Sequence, residues 1–151
     1  MALILPPQAF VALAAVAWAD GRLTRSEATA LVDAARKHGL SAEDLAAVAQ
    51  STTAPVAIDA FDPGAMTKWQ RVVTYALASW LARLDGVQSK SESDLLGRLG
   101  DRLGVEAALR ERAAGAAFDI AVLPEGGRPD RYDFEKLLAR LHEKMPQLTQ
   151  S

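Results

Sequence analysis

The chain carries one acidic stretch twice, and this duplication limits what it can fold into more than any other feature. Asp20-Gly21-Arg22-Leu23-Thr24-Arg25-Ser26-Glu27 returns as Asp85-Gly86-Val87-Gln88-Ser89-Lys90-Ser91-Glu92, an offset of 85 − 20 = 65 residues. At that offset Ala17 matches Ala82, Ser26 matches Ser91, Leu31 matches Leu96 and Gly39 matches Gly104. Phe10/Tyr75, Thr24/Ser89, Arg25/Lys90 and Leu40/Val105 are conservative pairs. Self-similarity decides architecture before any single motif is read. Each copy reads as helix, acidic turn, helix, glycine stop.

At 151 residues and 50% hydrophobic, the chain is long enough for one core but crowded for two domains. Alanine, leucine and arginine are abundant and alternating β-branched runs are missing, which favours helix over strand. The fold expected is all-α: a single compact helical domain of about seven helices built from two pseudo-repeats.

The first repeat is expected over about residues 7–50. Pro6-Pro7 suits a helix start, and residues 7–19 are apolar almost all round, as a buried central helix requires. Thr24-Arg25-Ser26-Glu27 is a capping box that opens a helix over about 25–38, with Ala28, Leu31, Val32 and Ala35 on one face and Gly39 as its stop. Ser41-Ala42-Glu43-Asp44 caps a third helix running to about residue 50. Residues 51–63 mix prolines with capping residues and read as a connector.

The second repeat is expected over about 63–122. Its long helix, 63–84, carries Trp69, Val72, Val73, Ala76, Leu77, Trp80 and Leu81 at helical spacing. Ser89-Lys90-Ser91-Glu92 caps the next helix, whose core face is Leu95, Leu96, Leu99 and Leu103 before Gly104. A sixth helix over about 105–122 places Ala107, Leu109, Ala113, Ala117 and Val122 inward despite Gly115. Pro124-Glu125-Gly126-Gly127-Arg128-Pro129 is a loop, and about 130–144 a last helix with Phe134, Leu137, Leu138 and Leu141 inward.

Charge and composition exclude several functions. With 17 basic and 19 acidic residues interspersed, there is no basic stripe for a nucleic-acid backbone. The absence of cysteine removes disulfides, thiolate metal sites and a Cys nucleophile, and fits a cytoplasmic location. Residues 9–19 resemble a signal-peptide core, yet no cationic segment precedes them and a similar run sits mid-chain at 72–84. That run is also shorter than the ~18 to 20 apolar residues a membrane span needs, so no direct membrane insertion is expected.

The acidic turns are the candidate site. A Gly after an Asp, with a Glu seven residues beyond that Asp, resembles the second half of an EF-hand loop. The opening ligands of such a loop are missing, since Val16 and Trp18, then Leu81 and Arg83, stand in their places. Neither half-loop encloses a calcium ion alone. Brought together, Asp20, Glu27, Asp85 and Glu92 would supply four hard oxygen donors, suited to Ca²⁺, Mg²⁺ or Mn²⁺ more than Zn²⁺. The competing reading makes Glu27 and Glu92 capping-box residues and Asp20 and Asp85 turn formers. Against it, an Asp at a helix C-terminus opposes the macrodipole at about 0.3 to 1 kcal/mol, and the chain has one there in both copies.

Taken together, Ala-x-x-Asp-Gly, a turn with Ser/Thr-x-x-Glu and a helix ending in Gly-Leu or Gly-Val, all duplicated over roughly 8–110, resemble the tellurite-resistance TerB family of bacterial all-helical proteins. The resemblance implies a non-enzymatic, acidic, divalent-metal-binding module tied to chemical stress, with protein partners in a membrane-associated complex. What carries over is Asp20, Gly21 and Glu27, with Asp85, Gly86 and Glu92. Arg83 departs from the pattern, because a cation beside the second turn weakens metal binding.

Other constellations are weaker. His38 and His142 are the only histidines, neither in a zinc-binding spacing; His38 suits a helix C-terminus and His142 an exposed face. Trp18, Trp69 and Trp80 read as core, with a ligand pocket between helices as the minority alternative. The Gly126-Gly127 loop has no strand before it and no Lys-Ser/Thr after it, so it is not a P-loop. No Ser-His-Asp set can be assembled. A metal-free interaction scaffold is the rival to a metal-binding module.

Overall fold

The computed structural model describes residues 7–18, 25–37, 41–53, 64, 66–81, 90–121 and 134–144. These form seven helices and no strand: α1 (Pro7–Ala17), α2 (Arg25–Lys37), α3 (Ala42–Ser51), α4 (Lys68–Leu81), α5 (Lys90–Leu103), α6 (Ala107–Ala121) and α7 (Phe134–Lys144). The all-α expectation holds. Helices α2 and α5 start 90 − 25 = 65 residues apart, and α3 and α6 start 107 − 42 = 65 apart. The sequence offset is therefore also an offset of structure.

Helix α1 is the hub, packing against α2, α3, α4 and α5. A helix enclosed on that many sides has no polar face, and Ala9, Phe10, Ala12, Leu13, Ala14, Ala15 and Val16 are all buried. Its alanines keep the helix thin enough for four neighbours. Helix α4 plays the corresponding part in the second triplet, packing most extensively on α6, then on α1 and α5. Helix α6, which packs on both α4 and α7, buries Ala113, Ala116 and Ala117. Two hydroxyls inside α4 are buried yet satisfied: Thr74 donates to the Gln70 carbonyl at 2.8 Å and Ser79 to the Tyr75 carbonyl at 3.0 Å.

One apolar cluster runs through all seven helices. Leu31 and Ala35 enter it from α2, Val48 from α3, Leu96, Leu99 and Leu103 from α5, and Leu137 and Leu141 from α7. Each fully buried leucine contributes about 1.5 to 3 kcal/mol. Trp80 lies in this cluster and Trp69 packs at its edge, consistent with a core role. Trp18, half-buried at the end of α1, donates its indole N–H to the Ser51 carbonyl at 3.0 Å and so ties α1 to the end of α3.

Four boundaries differ from the sequence reading. Helix α4 begins at Lys68 and not near 63, because Thr67 and Gln70 form a capping box. The Gln70 N–H donates to Thr67 Oγ1 at 3.1 Å and the Thr67 N–H to Gln70 Oε1 at 2.8 Å. Helix α6 begins at Ala107, whose side chain is exposed and not inward. Helix α1 ends at Ala17, short of residue 19, and Ser51 is still helical where the connector was expected to begin. Residues 54–63 of that connector, Gly39 and the 124–129 loop lie outside the described residues.

Candidate functional site

The acidic turns occupy the joints between α1 and α2 and between α4 and α5. Helix α2 begins at Arg25, directly after Thr24, and α5 at Lys90, directly after Ser89. Glu27 and Glu92 are thus the third residue of their helices, the slot from which a capping-box carboxylate acts. It is also where the positive end of the macrodipole favours an anion. Their side chains, and all of Asp20, Gly21, Asp85, Gly86 and Arg83, lie outside the described residues. The helices that flank the joints share neighbours: α2 and α5 both contact α1, and α1 contacts α4. Among the described residues no group of three His, Asp or Glu side chains is placed to hold a metal.

A second polar cluster, which the sequence reading missed, surrounds the far end of α5. There the backbone closes in a Schellman motif. Gly104, at φ 72°, donates to the Asp101 carbonyl at 3.1 Å, and Val105 donates to the Gly100 carbonyl at 3.0 Å. Two arginines from neighbouring helices reach this end, where unpaired carbonyls concentrate negative charge. Arg71 on α4 donates through Nη1 to the Leu103 carbonyl at 3.0 Å and through Nε to the Met66 carbonyl at 3.1 Å. Arg110 on α6 donates through Nε to the Val105 carbonyl at 2.7 Å and pairs through Nη2 with Asp101 at 2.8 Å.

Gly100 explains how Arg110 fits. It faces Arg110 so closely that a Cβ at position 100 would overlap the guanidinium end of that side chain. The signal in the sequence was a glycine inside an amphipathic helix, which is costly unless something lies against it. Tyr75 of α4 borders the cluster. Burial raises its pKa above the ordinary 10.0, and the positive charge of Arg110 partly opposes the rise. All these groups serve the joint between α4, α5 and α6.

Elsewhere Asp119 of α6 joins Arg140 at 3.0 Å and Lys144 at 3.9 Å on α7, with Glu143 also on Arg140 at 3.1 Å. These hydrogen bonds, Asp119 first and Glu143 second, raise the pKa of Arg140 further. His142 is exposed on α7, as its neighbours in sequence suggested, and His38 lies outside the described residues.

No helix among the described residues is long and apolar enough to cross a membrane. No curated protein and no solved structure matches the chain. A family model described as "Protein of unknown function (DUF533)" matches residues 8–116, from α1 into α6 and across both acidic turns. That match covers more than half of the chain, which therefore belongs to the DUF533 family, a family related to the TerB-like proteins.

Proposed function

We propose that the chain is a non-enzymatic helical module that binds a divalent cation at its duplicated acidic turns and acts in resistance to tellurite or related chemical stress. The observation that carries the reading is the shared placement of the two acidic helices. Helices α2 and α5 start in the same register, with Glu27 and Glu92 at matching positions, and both pack on α1. Two carboxylate-bearing helices packed on one helix supply a pair of half-sites. Asp20 and Asp85 would complete them, and hard oxygen donors favour Ca²⁺, Mg²⁺ or Mn²⁺ over Zn²⁺. The relation to TerB-like proteins supports the stress context, a cytoplasmic location and protein partners, including a membrane-associated complex.

The third-residue position of Glu27 and Glu92 equally suits helix capping, and this favours the rival reading of a metal-free interaction scaffold. Titration calorimetry separates the two. Wild type and an Asp20→Asn/Asp85→Asn variant are titrated with Ca²⁺, Mn²⁺ and Zn²⁺. Saturable heat in wild type that disappears in the variant supports the cation site. Equal heats from both proteins leave the scaffold.

A further inference from the structure

Among the described side chains the two acidic helices are anchored unequally. Helix α5 buries Leu96, Leu99 and Leu103 and packs Leu95 against the core. Its last carbonyl, that of Leu103, accepts from Arg71, Arg110 pairs with Asp101 and reaches the Gly97 carbonyl at 3.5 Å, and its backbone ends in the Gly104 motif. Helix α2 buries Leu31 and Ala35 among its described side chains, with Ala28 and Val32 only half-buried.

The 65-residue offset shows what the first repeat lacks. Arg110 corresponds to Leu45, which packs at the edge of the core, and Arg71 corresponds to Pro6. Asp101 corresponds to Arg36, whose ion pair, at 3.0 Å, is with Asp33 of its own helix. The cationic clasp on α5 thus has no counterpart at the matching positions on α2.

We infer that α2 is the arm that opens first, while α5 stays fixed to α4 and α6. For the acidic turns this deepens the proposed function: if a cation bridges them, the bound state is registered by α2. Local opening draws on the segments with the fewest buried apolar contacts and the fewest ties to the rest of the fold.

Hydrogen exchange read by mass spectrometry on the full chain tests this, first without added cation and then with Ca²⁺ or Mn²⁺. Without cation, amides of α2 are expected to exchange roughly tenfold or more faster than those of α5. Arg110→Ala, or the milder Arg110→Lys, is expected to bring the C-terminal half of α5 towards the α2 rate. Equal rates in wild type overturn the inference, and so does a variant in which α5 keeps its protection. Cation-induced protection of α2 with little change in α5 supports both the arm and the cation site. Protection confined to α5 overturns the arm. Unequal rates that no cation alters uphold the arm and sink the cation reading of the turns.

Discussion

Two glycines in one helix turn should respond to the same substitution with opposite signs. Gly97 and Gly100 both lie inside α5. A Cβ at 97 meets nothing within 4 Å, whereas a Cβ at 100 falls on Arg110. Replacing a helical glycine by alanine stabilises by about 0.5 to 1 kcal/mol where nothing obstructs it. Gly97→Ala is therefore expected to raise stability by that amount, or about 1 to 4 °C in Tm for a chain of this size. Gly100→Ala gains the same backbone contribution but expels Arg110. That loses the hydrogen bond to the Val105 carbonyl, 2.7 Å long and from a charged donor, at about 1.5 to 3 kcal/mol. It also loses the ion pair to Asp101, whose side chain is 78% exposed, so that this pair adds no more than about 1 kcal/mol.

The net expectation for Gly100→Ala is a loss of about 1 to 3 kcal/mol. Urea unfolding followed by far-ultraviolet circular dichroism measures both variants. The decisive comparison is the Arg110→Ala background, where Gly100→Ala has nothing left to displace and should become stabilising by about 0.5 to 1 kcal/mol. A loss of the same size in both backgrounds would refute the assignment of Gly100 as the seat of Arg110.

Other contacts make separate predictions. Thr67→Ala removes the hydroxyl that caps α4 and should cost about 0.5 to 2 kcal/mol in urea unfolding, while Thr67→Ser retains most of the stability. Trp18→Phe keeps an aromatic ring but loses the bond to the Ser51 carbonyl, for an expected cost of about 0.5 to 1.5 kcal/mol and faster hydrogen exchange at the end of α3. Tyr75 should ionise above pH 10 in the folded chain, seen by ultraviolet phenolate absorbance. Because its folded pKa is raised, the folded state holds that proton more tightly than the unfolded chain. Its contribution to stability is full below about pH 10 and declines as pH rises from there through the folded value. Tyr75→Phe should remove that part of the alkaline decline.

The sequence made the helices legible because their signals are local. Buried stripes such as Leu96, Leu99 and Leu103, the Ser41 cap that receives the Asp44 N–H at 3.2 Å, and the Gly104 stop all lie within a few residues of what they control. The start of α4 was misplaced because Pro63 is a strong helix-start signal, while Thr67-x-x-Gln70, a true capping box, lay inside a pattern that already read as helical. Arg71 and Arg110 were illegible for a different reason. The carbonyls they reach on α5, Leu103 for Arg71 and Gly97 for Arg110 at 3.5 Å, are 32 and 13 residues away, and an arginine on a helix surface looks the same whether solvent or a helix end receives it.

That contrast bears on what a duplication can preserve. The spacing from α2 to α3 and from α5 to α6 is identical, and Leu31 and Leu96, at matching positions, both enter the shared core. Polar ties between helices are not matched in this way, and the copies have diverged there: Leu45 packs apolar surface where Arg110 clasps a helix end. Equal register with unequal polar ties leaves α2 and α5, which both pack on α1, free to differ in rigidity.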